Sequence, residues 1–267
     1  NETKVSPFGD NTPSNDPLVV AVHLPAIEIG EMLVDDSKVK KYKMETTDDA
    51  LKVYRLVVDK LRKQDHKAIK ELAMALNEEE SEVKFIHIAR AIASFIRSEF
   101  KIKKTKFEEF LFEGGKLSKN ELKGGIIFYG KGKCSNCHDG PYFTDFKFHI
   151  IPTPQLGFGK NAFGIDYGRF NVTFQPNDLY RFRTPPLYNV SKTAPYGHSG
   201  SVKTLEEVIT YHFDPLKFAA IDKMDQLERH EYYKRLSSTS ENMLHISYLT
   251  TQEVSYLVSF LGSLSFD

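Results

Sequence analysis

The stretch Cys134-Ser135-Asn136-Cys137-His138 decides the fold class of this chain. Two cysteines three positions apart, followed directly by a histidine, form the C-x-x-C-H pattern of covalent haem attachment. Each cysteine sulfur can add across one vinyl group of a single porphyrin, and the His138 imidazole then becomes an axial ligand of the iron. The pattern therefore predicts one haem c, held by Cys134 and Cys137 and ligated by His138.

Other uses of two cysteines fit this sequence less well. The chain has only these 2 cysteines, which excludes a four-thiolate zinc site within one molecule. A mixed zinc site needs histidines at zinc-finger spacing, whereas the next histidine, His149, stands alone in the sequence. A thioredoxin-like dithiol is typical of a strand-to-helix junction, but residues 124–130 (GGIIFYG) indicate a helix running into a loop. A haem-free structural or zinc-dependent protein stays as an alternative.

The composition is that of an ordinary globular protein. The 267 residues are 40% hydrophobic and 12% aromatic, which is enough for a sizeable core. Lys plus Arg equals Asp plus Glu at 36 each, so charge gives no argument for binding nucleic acid or a membrane surface. No apolar run approaches the length needed to span a bilayer.

Helix-start signals and long irregular stretches predict an all-α fold with long irregular loops. A Ser or Thr followed three positions later by Asp or Glu has capping-box spacing, and it predicts helices that begin at Thr46, Ser118, Thr204 and Thr250. The last two should end near Phe213 and Gly262, and apolar periodicity predicts another helix over 85–96. Residues 1–35 are interpreted as irregular, and the aromatic-rich residues 142–182 as a loop wrapped around the cofactor.

A second axial ligand is needed on the other face of a low-spin iron. In the helix that begins at Thr204, periodicity places His212 on the same apolar face as Leu205, Val208 and Ile209. A histidine on such a face is a hydrogen-bonded core residue more often than a ligand, so periodicity alone leaves both roles open. Met224 and Met243 are weaker candidates because each lies among polar residues.

Three further segments resemble the C-terminal half of the bacterial di-haem cytochrome c peroxidases and MauG-like enzymes. They are residues 182–190 (FRTPPLYNV), 193–201 (TAPYGHSGS) and 204–208 (TLEEV). The resemblance reaches back to Glu28-Ile29-Gly30, which is similar to the family's Glu-Met-Gly motif, and covers residues 20 to 262. It implies a cytochrome c-like haem domain over 111–267, and an N-terminal segment over 1–110 that belongs to the family's first haem domain.

The resemblance also implies a distal ligand. In the family, this ligand lies fourteen positions after the histidine of the Ala-Pro-Tyr-x-His segment, and it is methionine in the peroxidases and tyrosine in MauG. That histidine is His198 here, so the position is His212, with Tyr211 as the alternative if the helix is shifted by one residue. A bis-histidine iron has a lower potential than a His/Met iron and is closed to peroxide.

Other roles follow from the resemblance alone. Glu28 resembles the carboxylate that moves a proton during O–O cleavage at the other haem, although a solvated carboxylate is an equal interpretation. His198 is expected in the hydrogen-bond network of the haem pocket. Arg183 is expected to pair with a haem propionate or to stabilise the surface. Carbonyl groups at Thr193 and Pro195 correspond to part of the family's calcium site.

The chain departs from the family in one respect. The family carries two C-x-x-C-H motifs, the first of them upstream of the Glu-x-Gly segment, and this sequence has one. We expect that an upstream haem domain has been removed, because residues 1–35 look like the middle of the family pattern. The alternative is a stand-alone mono-haem electron carrier without catalysis.

The implied function is the electron-transfer half of a peroxidase-type oxidoreductase, which by itself would be catalytically incomplete. Its haem would exchange electrons with a peroxide-reactive haem that this chain does not contain. The implied partners are hydrogen peroxide at that second haem and an electron-donor cytochrome or protein substrate. Covalent haem attachment takes place on the periplasmic side in bacteria, so a periplasmic location is expected.

Overall fold

A computed structural model of the chain describes residues 13–27, 47–157, 165–239 and 246–266. Helices dominate these residues, which confirms the predicted all-α class with irregular loops. The described helices are α1 (Pro17–Ile27), α2 (Thr47–Gln64), α3 (His66–Leu76), α4 (Phe85–Glu99), α5 (Lys106–Phe112), α6 (Lys119–Tyr129), α7 (Phe170–Thr173), α8 (Leu205–Tyr211), α9 (Gln226–Ser237) and α10 (Thr251–Gly262). Short 3-10 turns lie at Glu80–Glu82, Cys134–Asn136, Pro176–Asp178, Val190–Lys192 and Ile221–Lys223.

The chain divides into two compact units, an N-terminal unit up to Lys101 and a C-terminal unit from Ile102. In the N-terminal unit, α1, α2 and α4 bury their apolar faces against one another, with Val53 and Ala89 among the least exposed side chains. Helix α3 adds a smaller apolar cluster around Ile69. The predicted helices over this unit are confirmed for α2 and α4, while Thr46 lies outside the described residues.

The interpretation of residues 1–35 as irregular was wrong for residues 17–27, which form α1. The Asp16 carboxylate accepts a hydrogen bond from the Leu18 N–H at 3.0 Å, and Pro17 occupies the first helical turn, where its missing N–H costs nothing. A short apolar run such as 18–24 does not distinguish a strand from a buried helix by periodicity. Packing against α2 and α4 therefore decides the outcome.

In the C-terminal unit, α6 and α10 pack against each other and form the centre of the core. Phe128 of α6 and Leu257 and Phe260 of α10 are almost completely buried there. The three capping boxes predicted for this unit are confirmed, since the side chains of Ser118, Thr204 and Thr250 each accept a hydrogen bond from the backbone three residues on. The sequence pattern thus located the helix starts that build this core.

Helix α5 belongs to the C-terminal unit, although sequence reasoning assigned residues 102–110 to the N-terminal segment. The Phe107 N–H donates to the Ser263 carbonyl oxygen at 3.1 Å, and its ring packs edge-on against Phe260 with centroids 5.1 Å apart. The predicted boundary at residue 110 therefore falls inside this unit. The structure divides the chain between Lys101 and Ile102 because α5 completes the core of the C-terminal unit.

The segment after the Cys134–His138 motif has little regular structure where it is described. Strand β1 (Phe148–His149) pairs antiparallel with β2 (Phe182–Arg183), and the Thr144 hydroxyl donates to the Thr184 carbonyl oxygen at 2.7 Å. These bonds hold the stretch around Thr184 alongside the residues that come after the motif. The described part of the predicted aromatic loop is therefore ordered by pairing with a distant segment.

We expect Gly124→Ala to destabilise the protein, because a Cβ at this position would clash with the Tyr256 carbonyl oxygen and lie 2.7 Å from the Cβ of Phe260. Overpacking of this kind costs about 1–3 kcal/mol of unfolding free energy. Urea unfolding followed by circular dichroism measures the change.

Gly125→Ala is the matched control, because the nearest atom to its added Cβ belongs to the Phe260 ring, at 3.3 Å. The higher helix propensity of alanine, worth about 1 kcal/mol, should offset that contact. Equal unfolding midpoints for the two variants would show that the close approach of α6 and α10 does not limit stability.

Candidate haem-binding site

The attachment motif lies on one tight turn directly after α6. The Gly132 N–H donates to the Ile127 carbonyl oxygen at 2.8 Å, and a Cβ on Gly132 would lie only 2.8 Å from that oxygen and 3.2 Å from Cys134 Sγ. The motif then begins as a 3-10 turn, and the His138 N–H donates to the Cys134 carbonyl oxygen at 2.9 Å. Both thiols and the imidazole are therefore presented from a single turn, and the residue at 132 has to be small.

The His138 imidazole is partly buried and fixed in orientation. Its Nδ1 donates to the Phe143 carbonyl oxygen at 3.0 Å, which leaves Nε2 available to a metal. Burial is the main cause that lowers the pKa of His138 to about 4; the Phe143 hydrogen bond opposes this effect, and the neighbouring His212 imidazole adds to it. The ring is therefore neutral near pH 7, which is the form that ligates iron.

The two thiols lie in surroundings that keep them protonated. Burial raises the pKa of Cys134 to about 12. Burial, followed by the charge of Asp145, raises the pKa of Cys137 as well. Redox-active dithiols have lowered thiol pKa values. These raised values therefore disfavour the redox-dithiol alternative and leave the haem interpretation in place.

His212 lies at the C-terminal end of α8, as the residue that caps the helix. Its Nδ1 donates to the Val208 carbonyl oxygen at 2.7 Å, so its Nε2 is available in the same way as that of His138. Burial lowers the pKa of His212, which favours the neutral imidazole. Cys134 of the attachment turn and Val208 of α8 pack against the same apolar cluster, and the charge of His212 adds to the lowering of the His138 pKa.

Tyr211, the alternative ligand, is buried beside Phe218, with ring centroids 6.2 Å apart. Burial raises the pKa of its phenol, so this oxygen is poorly suited to ionise and bind iron. Of the weaker candidates, Met224 ends the 3-10 turn Ile221–Lys223, and Met243 lies outside the described residues. The donor chemistry therefore favours His212.

The other predicted residues have partners of their own. The His198 Nε2 is hydrogen-bonded to the Asp166 carboxylate at 2.8 Å, and its ring stacks on Phe182 with a centroid distance of 3.8 Å. The Arg183 guanidinium lies over the Phe146 ring, 4.8 Å from its centroid. His198 thus lies in a hydrogen-bonded pair at the protein surface, and Arg183 is exposed beside an aromatic ring.

The remaining residues with a predicted role are Thr193, Pro195 and Glu28. Thr193 and Pro195 are both exposed, in the turn that comes after Val190–Lys192. Glu28, the predicted proton carrier, lies outside the described residues. The expected roles of these three residues stay predictions.

Sequence reasoning missed Asp145, which the structure places beside the attachment turn. In the described part of the chain, one group of ligand-type side chains is drawn together closely enough to hold a metal: the ligand atoms of Cys137, Asp145 and His149 lie within 4.8 Å of one another. The only sequence signal is that Asp145 and His149 come after the motif, four residues apart. Because no regular element spans them in sequence, periodicity could not predict this contact.

Sequence and structure comparisons agree on the relatives of this chain. No protein-family model matches it. The cytochrome-c peroxidase IdrP1 of Pseudomonas sp. (strain SCT) is 30% identical over 195 residues, covering 58% of this chain and 50% of that protein. The methylamine utilization protein MauG of Methylophilus methylotrophus is 29% identical over 151 residues, covering 55% of this chain and 37% of that protein.

A solved structure supports the same relationship. The crystal structure of a MauG-like protein associated with microbial copper homeostasis superimposes with a TM-score of 0.57 at 28% identity, covering 73% of this chain and 61% of that one. The matches span half or less of the two curated relatives. In sequence and in fold the chain is therefore similar to the bacterial cytochrome c peroxidases and MauG-like proteins.

Proposed function

We propose that this chain carries one haem c, attached through Cys134 and Cys137 and ligated by His138 and His212, and that it serves electron transfer in a peroxidase-type oxidoreductase. One observation carries the proposal. The two histidines are both partly buried, both donate Nδ1 to a backbone carbonyl oxygen, and both have a pKa lowered by burial, which favours the neutral imidazole. Two neighbouring imidazoles prepared in this way suit a six-coordinate haem.

The protein groups around the site determine what such a haem can do. A bound haem supplies an iron that alternates between the ferric and ferrous states. The carbonyl groups of Phe143 and Val208 hold the two rings in orientation and fix the Nδ1–H tautomer. Two imidazole ligands leave no coordination position for peroxide, so we assign peroxide chemistry to a second haem outside this chain. The role of this chain is then to pass electrons to that haem or to take oxidising equivalents from it.

The partners proposed for the whole protein are inferred from its relatives. Those relatives are named as cytochrome c peroxidases and MauG. We therefore assign hydrogen peroxide to the second haem and a donor cytochrome or a protein substrate to this one. Periplasmic maturation is part of the proposal, and so is calcium at the carbonyl groups of Thr193 and Pro195. Within the described ranges, no helix is long and apolar enough to cross a membrane.

A second candidate function is a mono-haem electron carrier without catalysis. One C-x-x-C-H motif supplies the single haem that such a carrier needs. The two candidates differ in what the haem reacts with. A carrier exchanges electrons with small redox proteins and gives no peroxide turnover in any complex, whereas the peroxidase half supports turnover once a peroxide-reactive haem is supplied.

Covalent attachment is tested by producing the chain in a bacterial host that matures c-type cytochromes. We expect the intact mass to equal that of the polypeptide plus one haem, because both sulfurs lie on the same turn as His138. Cys134→Ala and Cys137→Ala should each leave at most one thioether, seen as a shifted pyridine haemochrome band. A mass equal to that of the bare polypeptide would remove the basis of the proposal.

The distal ligand is tested by His212→Met, with Tyr211→Phe as the matched control at the neighbouring position. Because Met/His ligation raises the potential of a haem, we expect His212→Met to shift the midpoint upward, within the range of about 0.8 V that axial ligands span. Tyr211→Phe should leave the midpoint and the bis-histidine EPR signal unchanged. Loss of that signal in Tyr211→Phe, with no effect of His212→Met, would assign the ligand to Tyr211 instead.

A further inference from the structure

A partly buried carboxylate, that of Asp145, lies next to the haem-attachment turn. The Asp145 N–H donates to the Cys137 carbonyl oxygen at 2.7 Å, and the ligand atoms of the two side chains lie within 4.8 Å of each other. Only 11% of the Asp145 side chain is exposed, and 13% of that of His149, its hydrogen-bond partner. Asp145 is therefore beside the sulfur that would hold the porphyrin, in a place that water screens poorly.

The surroundings of Asp145 keep the carboxylate ionised and in place. Its two oxygens are bonded to different groups: Oδ1 accepts from the Lys147 N–H at 2.9 Å, and Oδ2 is bonded to His149 Nε2 at 2.8 Å. Burial alone raises the pKa of Asp145, but the hydrogen bonds from His149, Lys147 and Thr184 outweigh it, and the pKa lies below its usual value. The site therefore contains a fixed negative charge.

The charge of Asp145 acts on the residues proposed to hold the haem. It adds to burial in raising the pKa of Cys137. The Asp145 carboxylate lies within 4.8 Å of the Cys137 ligand atom, and a negative charge there favours ferric over ferrous iron in a haem held by Cys137 and His138, because the ferric state carries one more positive charge.

We propose that the Asp145 carboxylate, which His149 holds in place, is a fixed negative charge that stabilises the ferric haem of this chain and lowers its reduction potential. The inference rests on the proposed function, since it needs a haem on Cys137 and His138. It assigns to the pair a role in setting the direction of electron flow: a more reducing haem gives up its electron more readily to an acceptor. Neither residue ligates the iron in this scheme.

The test is the midpoint potential of the haem-loaded protein, measured by spectroelectrochemistry at pH 8, where histidines carry little positive charge. Asp145→Asn keeps the size of the side chain and removes the charge, and we expect the midpoint to rise. Asp139→Asn is the matched control, because Asp139 adjoins His138 in sequence and the substitution removes the same charge. Asp139 is exposed, so water and salt screen its charge. The Asp139→Asn variant should shift the midpoint potential at most about half as far as Asp145→Asn does.

A second pair of variants removes the support and leaves the charge. His149→Gln keeps an N–H donor for Asp145 and should retain the wild-type midpoint. His149→Ala frees the carboxylate to turn towards water and should raise the midpoint in the direction of Asp145→Asn. If the Asp145→Asn variant does not acquire haem, the midpoint potentials of the two His149 variants test the proposal instead.

The outcomes separate the two proposals. Equal shifts for Asp145→Asn and Asp139→Asn, or no difference between His149→Ala and His149→Gln, would overturn the inference while haem attachment stands. Absence of a c-type haem spectrum in the wild-type protein would instead contradict the proposed function itself.

Discussion

The hydrogen bond from His138 Nδ1 to the Phe143 carbonyl oxygen is the contact on which the candidate site depends. Phe143 itself has a left-handed backbone, with φ 54°, which is uncommon for a bulky residue. Burial of the Phe143 ring among Phe107 and Phe128 holds that conformation. The core formed by α5, α6 and α10 thus reaches the site through one aromatic side chain, and orients the imidazole that would bind iron.

Burial makes the charged form of a histidine unfavourable, and this effect favours the neutral form of both candidate ligands. Desolvation keeps His138 and His212 neutral, and each backbone carbonyl bond selects the tautomer with a free Nε2. Asp145 is the opposite case, because hydrogen bonds from its neighbours keep it ionised despite burial. In the proposed holoprotein the fixed anion would lower the potential of the haem, and two imidazole ligands would leave no coordination position for peroxide.

Much of the fold was predictable from local signals. Capping boxes at Ser118, Thr204 and Thr250 marked helix starts because a side chain and a backbone group three residues on satisfy each other locally. Helix α1 was missed because an apolar run has no period that distinguishes a buried helix from a strand. Helix α5 was not predicted, although the Thr105 and Glu108 pair that caps it has the same spacing.

The sequence by itself predicted the attachment chemistry, since Cys134, Cys137 and His138 are close in sequence and need no distant contact to share a turn. It also determined that His212 faces the core, which is a property of helical period. Only the tertiary structure decided that α8, which His212 caps, packs on the same core as the attachment turn, that Asp145 and His149 adjoin Cys137, and that His198 pairs with Asp166. These contacts join segments through irregular loops, where no period in the sequence relates one side chain to another.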